Sequence, residues 1–155
     1  MRRIVPIAVL IALLDQVTKL WVLRWLDPDL PVPVVDGYFW LVNWGNSGAA
    51  WGLFPNSNLI LATISVVTLG VIAIFHRSFQ IHRLGNKIAL GLIAGGILGN
   101  VVDRFRHGHV VDFLDFAFRG HHWPAFNVAD SSICVGVGIY LIVTWRDDHR
   151  QPAGS

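Results

Sequence analysis

Four stretches of the chain are long apolar runs with few charges, and a bilayer-spanning helix needs roughly 20 such residues. The pattern predicts membrane helices over about 4–25, 58–75, 87–102 and 129–145. The last two have short uncharged cores, so their polar flanks are expected to reach into the interface. Helical periodicity is lost over about 26–57. There, Pro31 to Val35 and Tyr38 to Asn43 read as short strands around a turn at Asp36 and Gly37. Trp44 to Phe54 is rich in Gly, Asn and Trp, and Trp40, Trp44, Trp51 and Phe54 suit the headgroup region. The expected fold is an all-α membrane protein. It has four transmembrane helices, a small sheet and an interfacial loop or short helix on the outer surface, as a single unit over 1–155. The polar tail from Asp147 to Ser155 is expected to fray.

Composition agrees with the pattern. Apolar residues make up 54% of the chain, charged ones 14%, and the mean hydropathy is +0.53, more apolar surface than a soluble domain of this size can hide. Met1, Arg2 and Arg3 followed by Ile4 to Leu14 imitate a secretory signal. No small-x-small cleavage site follows, and the apolar pattern resumes after Asp15 and Lys19, so the segment reads as a retained helix. A net charge of +2 without a basic run gives no nucleic-acid surface. With both ends inside, the inner side carries Arg2, Arg3, Arg77, Arg83, Lys87, Arg146 and Arg150, and the outer side Arg24, Arg104, Arg106 and Arg119. That imbalance favours both termini in the cytoplasm. The single cysteine, Cys134, excludes an internal disulfide and reads as a small buried hydrophobe.

Against this background Asp112 and Asp130 stand out. Ionisable groups at the edges of spanning segments are costly and are functional suspects. Two carboxyls meeting in a poorly hydrated site can share one proton and act as acid and base. Asp112 lies beyond the third helix in an apolar turn or strand-like stretch, with Asp115 three residues on as a competitor. Asp130 opens the fourth helix, where a plain helix-start acid would also sit. Asp15 and Lys19 share one helix face and read as a structural ion pair toward the bundle, with a direct role in proton handling or substrate contact as the alternative. Gly91, Gly95 and Gly99, with Gly96 beside them, allow close helix packing. Asn100, Asp103 and Arg104 follow, Asn100 and Arg104 as site-shapers and Asp103 as structural or as an ion pair with Arg106. No Glu occurs, so a His-Glu-x-x-His metal helix is excluded. His107 with His109, or His121 with His122, could bind a metal but read better as solvent-facing. No Gly-x-Ser-x-Gly nucleophile turn is present. A proton-coupled transporter and a non-catalytic four-helix scaffold stay open on these residues alone.

Taken together, the motifs closely resemble those of the bacterial lipoprotein signal peptidases, also called signal peptidase II. Asp15, Gln16 and Lys19 match the first-helix motif. Asn46, Gly48, Ala49, Ala50 and Trp51 match the outer-loop motif, with Trp51 where Phe is more usual. Gly95, Gly96, Gly99, Asn100, Asp103 and Arg104 match the third, followed at the expected spacing by Val110 to Phe113. Phe126, Asn127, Ala129, Asp130 and Ser131 match the last. The resemblance covers nearly the whole chain. It implies an aspartic endopeptidase of the bacterial inner membrane, without cofactor or metal, its site toward the periplasm. The implied substrate is a diacylglyceryl-modified prolipoprotein, cut just before the lipidated lipobox cysteine. The catalytic dyad lands on Asp112 and Asp130. Substrate and inhibitor positions land on Asn46, Gly96, Asn100, Arg104, Asn127 and Ala129, and structural support on Asp15, Lys19 and Asp103. Implied partners are membrane lipid and globomycin-type inhibitors; a monomer is expected.

Overall fold

The computed structural model describes residues 1–49, 53–79 and 83–149. Ala50 and Trp51 of the outer-loop motif lie outside them, as do positions 150–155 of the tail. In chain order the elements are α1 (Ile4–Trp25), β1 (Val32–Val35), β2 (Phe39–Asn46), α2 (Asn58–Phe75), a 3-10 turn at His76–Ser78, α3 (Leu84–His107), β3 (Val110–Phe118), β4 (His121–His122) and α4 (Val128–Asp148). Four of the described helices are long and apolar enough to cross a membrane, and the architecture is that of a multi-pass membrane protein.

The helices pack around α3, which lies against both α1 and α4. Glycines on two of its faces make this possible. A Cβ on Gly95 would sit 2.7 Å from the Ala8 carbonyl oxygen of α1. One on Gly96 would run into the Ala129 carbonyl oxygen and stand 2.5 Å from Ser132 Oγ of α4. On α2 only Ala62 is buried among the described residues, and Ile60, Ile64, Val67, Val71 and Ile74 are exposed. On α1 the row Val9, Leu13 and Val17 is exposed in the same way. These faces meet lipid, which is as apolar as they are.

The third helix is longer than the hydrophobic run predicts. It continues from Val102 through Asp103, Arg104 and Arg106 because Asp103 turns inward to a cation, while basic residues suit a helix C-terminus. It ends where Gly108 takes a left-handed φ of 75°, which turns the chain directly into β3. Helix α4 likewise runs past Trp145 to Asp148.

Beyond the helix ends, β1, β2, β3 and β4 form one sheet in that order, each neighbour antiparallel. The predicted hairpin of β1 and β2 is present, with Gly37 at φ 78°. Its second strand runs on to Asn46 because it pairs with β3, a partner that local pattern did not reveal. The pairing sets Trp44 opposite Asp112, after a register shift that follows Leu41. On its other face β3 packs Val111 and Phe113 against Val22 of α1, with Leu26, Leu41, Leu114 and Val128 around them. This apolar knot fixes the sheet to the helix bundle.

Candidate active site

Strand periodicity decides which acid of β3 enters the cleft at the helix ends. Successive side chains point to opposite faces, so Asp112 and Asp115 diverge. Asp112 lines a cleft of about 800 Å³ that is bounded by the end of β2 and the residues after it, the end of α3 and the start of α4. Asp115 does not line it; its carboxylate bonds instead to His122 Nδ1 at 2.9 Å. Asp130 lines the same cleft as Asp112, together with Asn46, Asn100 and Arg104.

Asn127 joins the two acids. It is the N-cap of α4, and its Oδ1 accepts a hydrogen bond from the Asp130 backbone N–H at 2.9 Å. In return Asp130 Oδ2 accepts from the Asn127 backbone N–H at 3.3 Å, closing a capping box. The Asn127 amide Nδ2 then donates to Asp112 Oδ1 at 2.8 Å. Asn46 Nδ2 donates to the other Asp112 oxygen at 3.0 Å, and Asn100 Nδ2 donates to Asp130 Oδ1 at 2.7 Å. Three asparagine side chains thus aim both carboxyls.

A buried cation lies behind this layer. Lys19 Nζ is 2.8 Å from Asp15 Oδ2, 2.8 Å from Asp103 Oδ2 and 2.9 Å from Asn100 Oδ1. An ammonium has three protons, so its donors are saturated. The interaction with Asn100 also fixes that amide: its oxygen accepts from Lys19, leaving its nitrogen for Asp130. Asp103 pairs with Lys19, not with Arg106, and its Oδ2 also accepts the Val111 N–H at 3.1 Å. Asp15 Oδ1 accepts the Ala129 N–H at 2.9 Å. Both acids therefore bind the frame of the site, holding β3 and α4 to α1 and α3.

Burial pushes the Asp112 carboxyl up to about 7, and the neighbouring charge of Asp130 pushes the same way. The amides of Asn46 and Asn127, and the Lys19 charge, pull against that rise. Arg104 Nη2 donates to the Gly48 carbonyl at 3.3 Å, and its guanidinium is within electrostatic reach of Asp130 and Asp112. Its own backbone carbonyl accepts from Asn58 Nδ2 at 3.1 Å.

Three residues expected at the pocket do not form its wall. Asn127 is fully buried beneath the cleft, and Gly96 and Ala129 meet each other in the contact between α3 and α4. Gly96 and Ala129 let the two helices approach closely, while Asn127 holds Asp112 and Asp130 from below. Sequence reading named Phe126 in the last motif but missed the rest of the opposite wall, Trp123 to Ala125, and the part played by Asn58. The signal for the wall was an apolar Trp-Pro-Ala-Phe run between a polar turn and Asp130. Cys134 was read as buried; it is exposed and borders the cleft, because the α4 face after Asp130 looks into open space. No cluster of three or more potential metal ligands occurs among the described residues.

The family model described as Signal peptidase (SPase) II matches residues 7–146. The chain belongs to the signal peptidase II family. The lipoprotein signal peptidase of Syntrophotalea carbinolica is 42% identical over 158 aligned residues, covering 98% of this chain and 96% of the relative. That of Geobacter sulfurreducens is 43% identical, covering 89% of this chain and 88% of the relative. Among solved structures, a bacterial membrane enzyme determined by the in meso method at 2.3 Å superposes with a TM-score of 0.89 at 29% identity. That match covers 100% of this chain and 94% of the other. As a member of the signal peptidase II family, the chain is a protease, and the cleft is the place to look for its chemistry.

Proposed function

We propose that the chain is an aspartic endopeptidase that removes the signal peptide from diacylglyceryl-modified prolipoproteins, with Asp112 and Asp130 as its catalytic pair. The observation that carries this reading is the shared cleft. Two acids eighteen positions apart in sequence face one cavity, each gripped by asparagine amides and tied together through Asn127.

Two neighbouring carboxyls do not both ionise cheaply, so one keeps its proton. We assign that proton to Asp112, whose carboxyl burial and the Asp130 charge push up to about 7. Asp130 sits in the first turn of α4 and receives the Asn100 amide and the Asn127 N–H, contacts that favour a carboxylate. In the reaction, ionised Asp130 takes a proton from water while the water oxygen attacks the scissile carbonyl carbon. Asp112 donates its proton toward the carbonyl oxygen. As the tetrahedral intermediate collapses, the C–N bond breaks, the proton held by Asp130 passes to the leaving amine, and one gem-diol O–H returns its proton to Asp112 as the carbonyl re-forms. That amine becomes the new terminus at the lipidated cysteine.

The signal helix and the acyl chains of such a substrate stay in lipid, so the cut falls at the outer edge of the bilayer. In this reading the protein acts as a monomer in the inner membrane, both termini cytoplasmic and the cleft toward the periplasm. Globomycin-type inhibitors occupy the same cleft. Asp112→Asn and Asp130→Asn are each expected to lower turnover of a lipidated reporter by at least about 10²-fold. Mass spectrometry of the new amino terminus reads the result, with insertion checked in parallel. Robust turnover by either variant overturns the pairing.

A further inference from the structure

Asp115 is a buried acid that the proposed chemistry does not use. Only 2% of the residue is exposed, yet it lies on β3, three positions from Asp112 and on the other face. Both of its oxygens are within bonding distance of His122 Nδ1, at 3.0 and 2.9 Å. The imidazole is half-exposed and lies beside the Trp40 ring, 5.3 Å between centroids. One side chain from β2, one from β3 and one from β4 therefore meet at this point.

The strand carrying His122 needs such a contact. β4 has only two residues, paired to Ala117 and Phe118 across a turn in which Arg119 and Gly120 both take positive φ. A pairing this short holds weakly by itself. The next residues, Trp123 to Phe126, make up the cleft wall, and Asn127 caps α4 directly after them. At its far end the wall is tied by Phe126, whose backbone exchanges hydrogen bonds with Leu114 at 2.9 and 3.1 Å. At its near end it has the Trp123 N–H to Phe116 carbonyl bond at 2.7 Å and the Asp115–His122 contact. The buried carboxylate would be left without its side-chain donor if His122 let go, so the contact resists opening.

We propose that Asp115 and His122 form a clip that fixes the Trp123–Phe126 wall, making His122 a positioning residue for binding of the lipidated substrate. The inference rests on the peptidase reading for its substrate but not for its geometry. The clip touches neither Asp112 nor Asp130, so it sets how well the wall receives substrate and leaves the chemical step alone.

The test uses the full chain in lipid, with a diacylglyceryl reporter peptide and two readouts. His122→Ala is expected to raise KM about tenfold, the scale of one charge-assisted hydrogen bond, with kcat changed less than about twofold. His122→Asn places an amide N–H near the position of Nδ1 and is expected to restore KM. The second readout needs no turnover. Cys134 is the only cysteine and borders the cleft, so its alkylation by a maleimide reports the state of the cavity. Loss of the clip is expected to speed that labelling several-fold, and Asn at 122 to reverse the change. Unchanged KM and unchanged labelling in His122→Ala overturn the clip, as does equal damage by Ala and Asn. If labelling of the wild type and the two variants follows this pattern but the wild type cleaves no lipidated peptide, the peptidase reading fails and the clip stands.

Discussion

A carboxyl that holds its proton to about pH 7 makes a prediction whose sign can be worked out. Burial and the Asp130 charge raise Asp112 from an ordinary value of 3.8 to about 7. In the proposed role of proton donor it is competent below that value and lost above it. kcat/KM is therefore expected to fall as pH rises through about 7, in a limb that belongs to the coupled pair. The Asn46 amide favours the ionised form, so Asn46→Ala should move the limb to higher pH; a shift downward contradicts the assignment. Folding follows the same linkage. Between pH 3.8 and about 7 the folded carboxyl keeps a proton that the unfolded one has released. Its contribution to stability is complete below that window and is lost as pH rises across it. Lys19 gives a second residue-scale prediction. Its side chain is 2% exposed, with Asp15 and Asp103 both at 2.8 Å. Lys19→Met would leave two buried acids without their cation, and removing one partner of such an arrangement costs about 3–5 kcal/mol. Thermal unfolding in detergent should register the loss, and an unchanged midpoint would show that the acids protonate at little cost.

At the scale of elements, glycines separate helix contacts from lipid-facing surface. A methyl group at Gly96 meets backbone of α4, whereas at Gly70 nothing lies within 4 Å. Gly96→Ala should destabilise by about 1–3 kcal/mol through overpacking and lower activity as well, because the displaced helix start carries Asp130. Gly70→Ala should be neutral or stabilising by up to about 1 kcal/mol, since Ala is the better helix former. Melting curves for the two variants make the comparison, and similar losses from both would place α2 in a contact that the fold does not contain. The same elements mark what was legible in the sequence. The helices could be read because length and apolarity are local properties. The β1–β2 hairpin carried its own turn at Asp36 and Gly37. Strands β3 and β4 could not be read in the same way: Val110 to Phe118 is an apolar, acid-bearing run that becomes a strand by pairing with β2 more than sixty positions earlier. The extra turns of α3 depend on Lys19 meeting Asp103, another contact between distant residues. Local chemistry supplied two suspicious acids that could share a proton, with Asp115 as a rival to the first; resemblance supplied Asp112 and Asp130 as the pair. Strand parity separates those rivals once β3 is known.

The whole molecule presents an apolar belt of helices beneath a sheet that covers one end, with the cleft at the junction. A substrate anchored by both a signal helix and acyl chains reaches such a cleft from within the lipid, by lateral diffusion. Recognition of the lipid then works differently from capture out of water. Burying a methylene from water contributes about 0.8 kcal/mol, but chains that already lie in a bilayer gain little when they move against Ile133 or Phe126. The anchor should therefore act by confining the scissile bond to the depth of Asp112 and Asp130. Two expectations follow from that difference. A reporter without diacylglycerol should be cut far more slowly than the lipidated one at equal membrane concentration. Among lipidated reporters, adding methylenes beyond the length that secures membrane anchoring should change kcat/KM by less than about twofold per pair, well below the roughly tenfold or greater change that transfer from water would give. Rates measured in vesicles across a series of acyl lengths distinguish the two regimes. A steep, continuous rise with chain length would assign recognition to an acyl-binding groove, and equal rates with and without the lipid would remove the anchor from the mechanism.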